Sequence, residues 1–498
     1  MASFKSLAKD TAIYGMSSIV GRFLNWLLVP LYTAKISAAS GGYGVITNVY
    51  SYVALLMVIL TFGMETAFFN FSTKGDDRPD TVYSTSLISV GGVSMAFFVL
   101  VMLWLNPIAS LMGYADHAYF IATMAAVVAL DAFQAIIFAR FRYEKRPLRF
   151  AALKLLFIVL NIGLNLLYFV LLPDWVVKYP ALLAIYNPSI GVGYAFILNL
   201  VCTGIVMLIM MKDLAKIKWQ WDSALMRRML GYAWPILVLG VAGILNQTVD
   251  KILFPYISSD ANATAELGIY GASVKIAMIM AMITQAFRYA YEPFVFANRN
   301  ESESRSTYAK GMKYFLVFTL LAYLAVVMYI DILKHIIAPD YWVGLRVVPI
   351  VMAAEIMMGV YFNLSFWYKL TNRTIWGAVF SGAGCAVLVA VNVLFVPRYS
   401  YMACAWAGVA GYGTAMILSY LVGRKYYPVP YEIGRMMVYV ALCAALHALS
   451  LISFGTLWLD MPYRTLLIAV FVAAVPETRS ILSSLLARLG YHVNSHKN

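Results

Sequence analysis

The chain has 498 residues, of which 62% are hydrophobic and only 12% charged, with a formal net charge of +14. A water-soluble protein carries about 25% charged residues, so most of this surface is expected to face lipid. In a soluble protein the positive excess would point to nucleic acid, but no zinc-finger, helix-turn-helix or RNP pattern interrupts the apolar runs, and no nucleic-acid partner is expected.

About 20 apolar residues cross the hydrocarbon core of a bilayer. Cutting the sequence at charged and Pro-rich breaks predicts spans near 11–35, 43–72, 82–105, 118–140, 150–172, 190–211 and 229–257, then 264–296, 312–331, 346–369, 374–396, 402–424, 434–454 and 458–475. The fold class is therefore all-α integral membrane, with about 14 transmembrane helices. The first run, from Thr11 to about Ala34, is too long for the apolar core of a cleavable signal peptide. Leu459–Pro462 interrupts the last run, and several spans exceed 25 residues, which implies tilt or extension beyond the core. The loop Pro173–Ser189 carries Trp175, Tyr179 and Tyr186 and is expected to lie along the interface.

Lys and Arg fix the orientation. Alternate loops starting with the N-terminus hold 27 of them, the opposite set holds 6, and four fall inside spans. The positive-inside rule then places both termini in the cytoplasm. Cys202, Cys385, Cys404 and Cys443 all lie in apolar runs without a CxxC pair, and the five histidines form no ligand cluster. Neither a disulfide framework nor a metal site is expected.

An internal repeat is visible. Asn25-Trp26 … Pro30-Leu31-Tyr32 followed by Tyr43-Gly44 has the same layout as Asn246-Gln247 … Pro255-Tyr256 followed by Tyr270-Gly271. Six helices separate the copies, an even number, so the repeat axis runs along the membrane normal. The expected organisation is a six-helix bundle over 1–220, a second over 221–428 related by a pseudo-two-fold, and two extra C-terminal helices with a tail over 429–498.

The charges left within spans are candidate functional groups, because an ionised side chain in a bilayer needs a partner or a wet cavity. The cations are Arg22, Lys251, Lys275 and Arg288; the carboxylates are Glu65, Asp131, Asp250, Glu292 and Glu355. Arg22 and Lys275 lie near mid-depth and are expected to face one hydrated cavity, where cations suit an anionic passenger such as a phosphate or pyrophosphate. Arg288 and Glu292 are spaced to pair on one helix face. Asp250 and Lys251 are adjacent, so they point about 100° apart and are not expected to pair. In-span Asn25, Asn48, Asn161, Asn165, Asn199 and Asn246 fit either sugar hydroxyls or contacts between helices.

Several stretches carry a resemblance to a known family. Leu7-Ala8-Lys9-Asp10-Thr11-Ala12-Ile13-Tyr14-Gly15, continuing through Gly21-Arg22 and Pro30-Leu31-Tyr32 to Tyr43-Gly44, resembles the start of the Wzx-type O-antigen flippases. These belong to the multidrug/oligosaccharidyl-lipid/polysaccharide (MOP) exporter superfamily. Gly63-Met64-Glu65-Thr66-Ala67, Glu144-Lys145-Arg146-Pro147 and Val249-Asp250-Lys251 … Leu267-Gly268-Ile269-Tyr270-Gly271 extend the likeness over most of residues 1–425.

The resemblance implies alternating access and a passenger made of an oligosaccharide on undecaprenyl pyrophosphate, flipped across the bacterial inner membrane. It implies no enzymatic activity and no cofactor. Membrane lipids and other polysaccharide assembly proteins are the implied partners. Arg22, Lys275, Lys251, Arg288, Asn25 and Asn246 become candidates for substrate binding, and Glu65, Asp131, Asp250 and Glu355 candidates for coupling to H⁺ or Na⁺. The alternatives are a peptidoglycan lipid-precursor flippase or a drug/cation antiporter of the same superfamily. The precursor flippases tend to place several Arg in the first two spans, where this chain has Arg22 alone.

Overall fold

The structure, a computed structural model, describes residues 26–74, 77–215, 217–297, 301–371 and 373–478. Its elements are helical throughout, and thirteen helices are long and apolar enough to cross a membrane. Each matches one predicted span, from the second, Gly42–Thr73, to the last, Leu457–Ala474. The first predicted span falls mostly outside the described residues; its end is helix α1, Leu28–Lys35.

The following helices are α2 (Gly42–Thr61), α3 (Met64–Lys74), α4 (Pro79–Leu103), α5 (Tyr119–Tyr143), α6 (Pro147–Leu166), α7 (Gly193–Leu214) and α8 (Ser223–Ile257). Then come α9 (Ala263–Ala297), α10 (Glu301–Met328), α11 (Val348–Leu364), α12 (Phe366–Leu370), α13 (Ile375–Tyr399), α14 (Tyr401–Tyr426), α15 (Ile433–Ser450) and α16 (Leu457–Ala474). Two compact units result: residues 1–272 with 392–401, and residues 273–391 with 402–498.

In the first unit α5 is central, packed on α2, α4 and α7. Its small buried residues Ala132, Ala135 and Ala139 let neighbouring helices approach closely, as lipid-embedded packing requires. Helix α8 runs along α2 and α3. It is 35 residues long and begins at Asp222, whose carboxylate caps the Leu225 N–H. At about 1.5 Å per residue it outruns the hydrocarbon core. Span 2 breaks between α2 and α3, where Phe62 and Gly63 both adopt positive φ, 49° and 69°. Near the other end of α2 the backbone touches α9: a Cβ at Gly44 would lie 1.8 Å from the Thr264 carbonyl oxygen.

In the second unit α10 packs on α11 and on the C-terminal pair α15 and α16. Ion pairs tie that pair to α10 and to the short helix Ile330–Leu333 that follows it. Arg464 bonds Asp331 at 2.6 Å, and Lys313 bonds Glu432 at 2.8 Å and Glu477 at 3.2 Å. Helices α13 and α14 meet backbone to backbone, since a Cβ at Gly384 would lie 2.7 Å from the Gly411 carbonyl.

Candidate functional site

The first unit holds a buried polar chain. The Asn199 amide on α7 donates to the Tyr50 hydroxyl of α2 at 2.6 Å. One turn on, the Thr203 hydroxyl lies 3.4 Å from both Asn199 Oδ1 and Asp131 Oδ1. Gln134, one turn from Asp131 on α5, donates to the Thr203 carbonyl at 3.0 Å. Asp131 has no ion pair among the described residues, and Lys154 on α6 is the cation whose field reaches it. The Lys154 ammonium sits 4.1 Å from the centre of the Phe138 ring, a contact that stabilises a cation where water is scarce.

The other carboxylates of this unit are closed by partners. Glu65 pairs with Arg142. Asp250 accepts from the Tyr270 hydroxyl at 2.8 Å, and both its oxygens lie 3.0 Å from the Lys251 ammonium. The expectation that Asp250 and Lys251 cannot pair is corrected here. Cβ directions do diverge by about 100°, but the four-carbon lysine stem folds back and brings Nζ to its neighbour, where it also donates to the Gln247 carbonyl at 2.9 Å. Asn48 donates to the Lys251 carbonyl and accepts from Tyr114. Asn165 accepts from Tyr32 and donates to Asn161. These asparagines join helices, and Asn246, 8% exposed, donates to the Ala242 carbonyl on its own helix.

In the second unit Lys275 on α9 and Glu355 on α11 are half-buried. Farther along α9, Arg288 lies over the Phe362 ring at 5.1 Å. It lines a narrow cleft with Thr284, Tyr291, Phe362, Asn363 and Lys369. Arg22 and Asn25 lie outside the described residues, as does the Glu292 side chain expected to pair with Arg288.

Sequence reasoning missed Thr203 and Tyr50, which carry no charge to mark them. It also counted Lys154 and Lys369 among loop cations, although Lys154 lies inside a predicted span and a cation there is itself a signal. Among the described residues no group of His, Cys, Asp and Glu could hold a metal ion, and the four cysteines are free.

The ends of the helices that carry the basic loops, called here the basic ends, differ between the units. In the first unit Arg140 bonds Asp80 (2.8 Å) and Glu144 (2.6 Å), Arg149 bonds Asp213 (3.1 Å) and Arg228 bonds Asp77 (2.7 Å). Arg146 lies 3.4 Å from Glu144 and 3.6 Å from Asp213. In the second unit, outside the spans, burial would push Glu477 up, but hydrogen bonds from Tyr439 and Lys313 hold it below the usual carboxylate range. Lys313 does the same to Glu432.

Residues 40–347, well over half of the chain, match the family described as polysaccharide biosynthesis protein. The chain belongs to that family. No curated protein matches it. The fold of this polysaccharide biosynthesis protein is similar to that of "Lipid II flippase MurJ, inward closed conformation", with TM-score 0.67 at 12% identity over 95% of this chain and 99% of that one. It is also similar to a multidrug resistance MATE family transporter of the MOP superfamily in an inward-facing conformation, with TM-score 0.62, 14% identity, and 81% and 93% coverage. A third likeness is to the MATE multidrug transporter DinF-BH, with TM-score 0.60, 15% identity, and 86% and 97% coverage. At these identities the likeness shows the fold, a MOP-type membrane fold. The resemblance read from the motifs therefore holds at the level of the polysaccharide family and of the fold.

Proposed function

We propose that this protein flips an oligosaccharide linked to undecaprenyl pyrophosphate, an O-antigen or other surface-polysaccharide repeat unit, from the cytoplasmic to the periplasmic leaflet of a bacterial inner membrane. The observation that carries this reading is membership of the polysaccharide family on a fold shared with a lipid flippase. Both termini and the basic ends then face the cytoplasm, as the 27 to 6 distribution of Lys and Arg requires. No catalytic step is assigned; the passenger changes leaflet and keeps its mass.

Arg22 and Lys275 are assigned to one cationic cavity that alternates its access, with Lys251, Arg288, Asn25 and Asn246 as further contacts. Arg288 is included because it lines a cleft with Lys369, and a guanidinium with an ammonium matches a pyrophosphate. Lys251 has to leave Asp250 before it meets a phosphate. For coupling to H⁺ or Na⁺, Asp131 leads over Glu65, Asp250 and Glu355. Its carboxylate has no described ion pair and lies 3.4 Å from the Thr203 hydroxyl, which stands at the same distance from the Asn199 amide oxygen. An ion favouring one access state shifts the populations of both.

Deletion in the native host followed by mass analysis of undecaprenyl-linked glycan tests the reading. The expected result is accumulation of one unpolymerised repeat unit, and unchanged lipid-linked glycan overturns it. Likeness to two multidrug transporters keeps drug export as a second reading. It predicts drug sensitivity in the same strain, whereas the flippase reading predicts none. In proteoliposomes with an imposed pH or Na⁺ gradient, Asp131→Asn is expected to abolish the gradient's effect, and wild-type flipping indifferent to both gradients removes coupling altogether.

A further inference from the structure

At the basic end of the second unit three arginines lack the described carboxylate partners that Arg140, Arg142, Arg146, Arg149 and Arg228 have in the first. Arg305 lies over the Tyr427 ring at 4.6 Å and Arg373 over the Tyr426 ring at 4.3 Å. Arg424 lines a narrow cleft together with Trp367, Tyr420, Tyr427 and Tyr431. Tyr426 in turn stacks on Trp367, 6.0 Å between centroids and 12° between planes. Among the described residues none of these arginines has a carboxylate partner within salt-bridge distance, and the buried Arg305 Nε has no hydrogen-bond partner. Glu432, one residue beyond Tyr431, is already held by Lys313 and Arg435.

A ring face satisfies the flat side of a guanidinium and leaves its rim of N–H donors open. That rim matches the oxygens of a phosphate. The site also has an apolar approach. Ile417, Leu421 and Arg424 follow one another at four- and three-residue steps on α14, so they share a face, and all three are exposed. A ligand phosphate at Arg424 would lay a hydrocarbon chain along Leu421 and Ile417, toward the middle of the membrane.

We propose that this end of the second unit is a binding site for an anionic diacyl phospholipid of the adjoining leaflet. Its phosphate sits at Arg424, with Arg305 and Arg373 flanking, and one acyl chain runs along α14. The inference needs only that the helices span a bilayer, so it stands or falls apart from the identity of the passenger.

Native mass spectrometry of the full chain, released from detergent with added phosphatidylglycerol or cardiolipin, tests it. Wild type is expected to retain either lipid in preference to phosphatidylcholine. Loss of one arginine beside a lipid phosphate removes about 1 kcal/mol, or roughly a five-fold weaker affinity. Arg373→Gln and Arg424→Gln are each expected to show that loss, and the double variant a larger one. Arg424→Lys, which keeps the charge without the fork, is expected to fall between.

Arg149→Gln and Arg228→Gln in the first unit, where these two arginines already hold Asp213 and Asp77, should leave retention unchanged. The proposal is overturned if the single variants bind as wild type, if the first-unit variants lose lipid equally, or if only a polyprenyl phosphate is retained. Arg373 and Arg424 are exposed, so the single variants are expected to fold, and an unaltered melting temperature in the same detergent verifies it.

Discussion

In the first unit Arg140, Arg142, Arg146, Arg149 and Arg228 each meet a carboxylate at the basic end, whereas in the second Arg305, Arg373 and Arg424 meet tyrosine rings or a cleft wall. Among the described residues the difference lies in the supply of acid. Asp77, Asp80, Glu144 and Asp213 sit among the first set. Among the described residues of the second unit, Glu432 and Glu477 are taken by Lys313 and Arg435. The same positive bias therefore does two things: one set of arginines fastens helices together, and the other keeps its donors for a partner outside the chain. A count of Lys and Arg per loop reads both as topology.

That contrast gives stability predictions of decreasing size. Asp213→Asn strips two arginines of their shared carboxylate, and its side chain is only 17% exposed. Breaking a buried pair costs about 3–5 kcal/mol, and an exposed one under about 1, so a loss of roughly 1–2 kcal/mol is expected in a thermal melt in detergent. An unchanged melting temperature would break the comparison on its first-unit side. Glu65→Gln, which uncouples α3 from Arg142 where both side chains are about one-third exposed, should cost under about 1 kcal/mol.

The pair α15 and α16 gives a pH test. Glu432 and Glu477 are both held below the ordinary carboxylate range. A lowered folded value means the contribution is complete above about pH 4.3, the ordinary value for Glu, and is lost as pH falls through the lowered folded values. Pepsin cleavage in the 428–432 loop is expected only well below pH 4, and Glu477→Gln should raise that onset. A pH-independent cleavage pattern would remove the ion pairs from the docking of α15. Smallest of all, Arg373→Gln in lipid-free detergent should stay within about 0.5 kcal/mol of wild type, as ordinary surface substitutions do.

The spans were legible because hydropathy over about 20 residues is a strong signal and lipid tolerates few exceptions. Even the interrupted last run is one helix, with Pro462 in its second turn. The break at Phe62–Gly63 was not legible, since a phenylalanine with positive φ has no sequence mark. Charged positions within spans could be singled out, but not their partners. Glu65 meets Arg142, and Asp131 lies by Thr203, residues more than seventy positions apart that only packing brings together. The Asp250–Lys251 pair failed for the opposite reason, because helix geometry fixes Cβ directions and says little about where a long stem ends.

The contact of Gly44 with Thr264 and Gly268 also orders the making of the protein. Helix α2 emerges from the ribosome early, yet the backbone surface it is shaped for belongs to a helix some 220 residues later. The first unit closes only once α8, the start of α9 and the short stretch 392–401 have been synthesised. Until then the glycine edge of α2 and the amide of Asn48 must be sheltered by lipid, by the insertion machinery or by neighbouring helices. A chain stopped near residue 220 would hold that edge open for good.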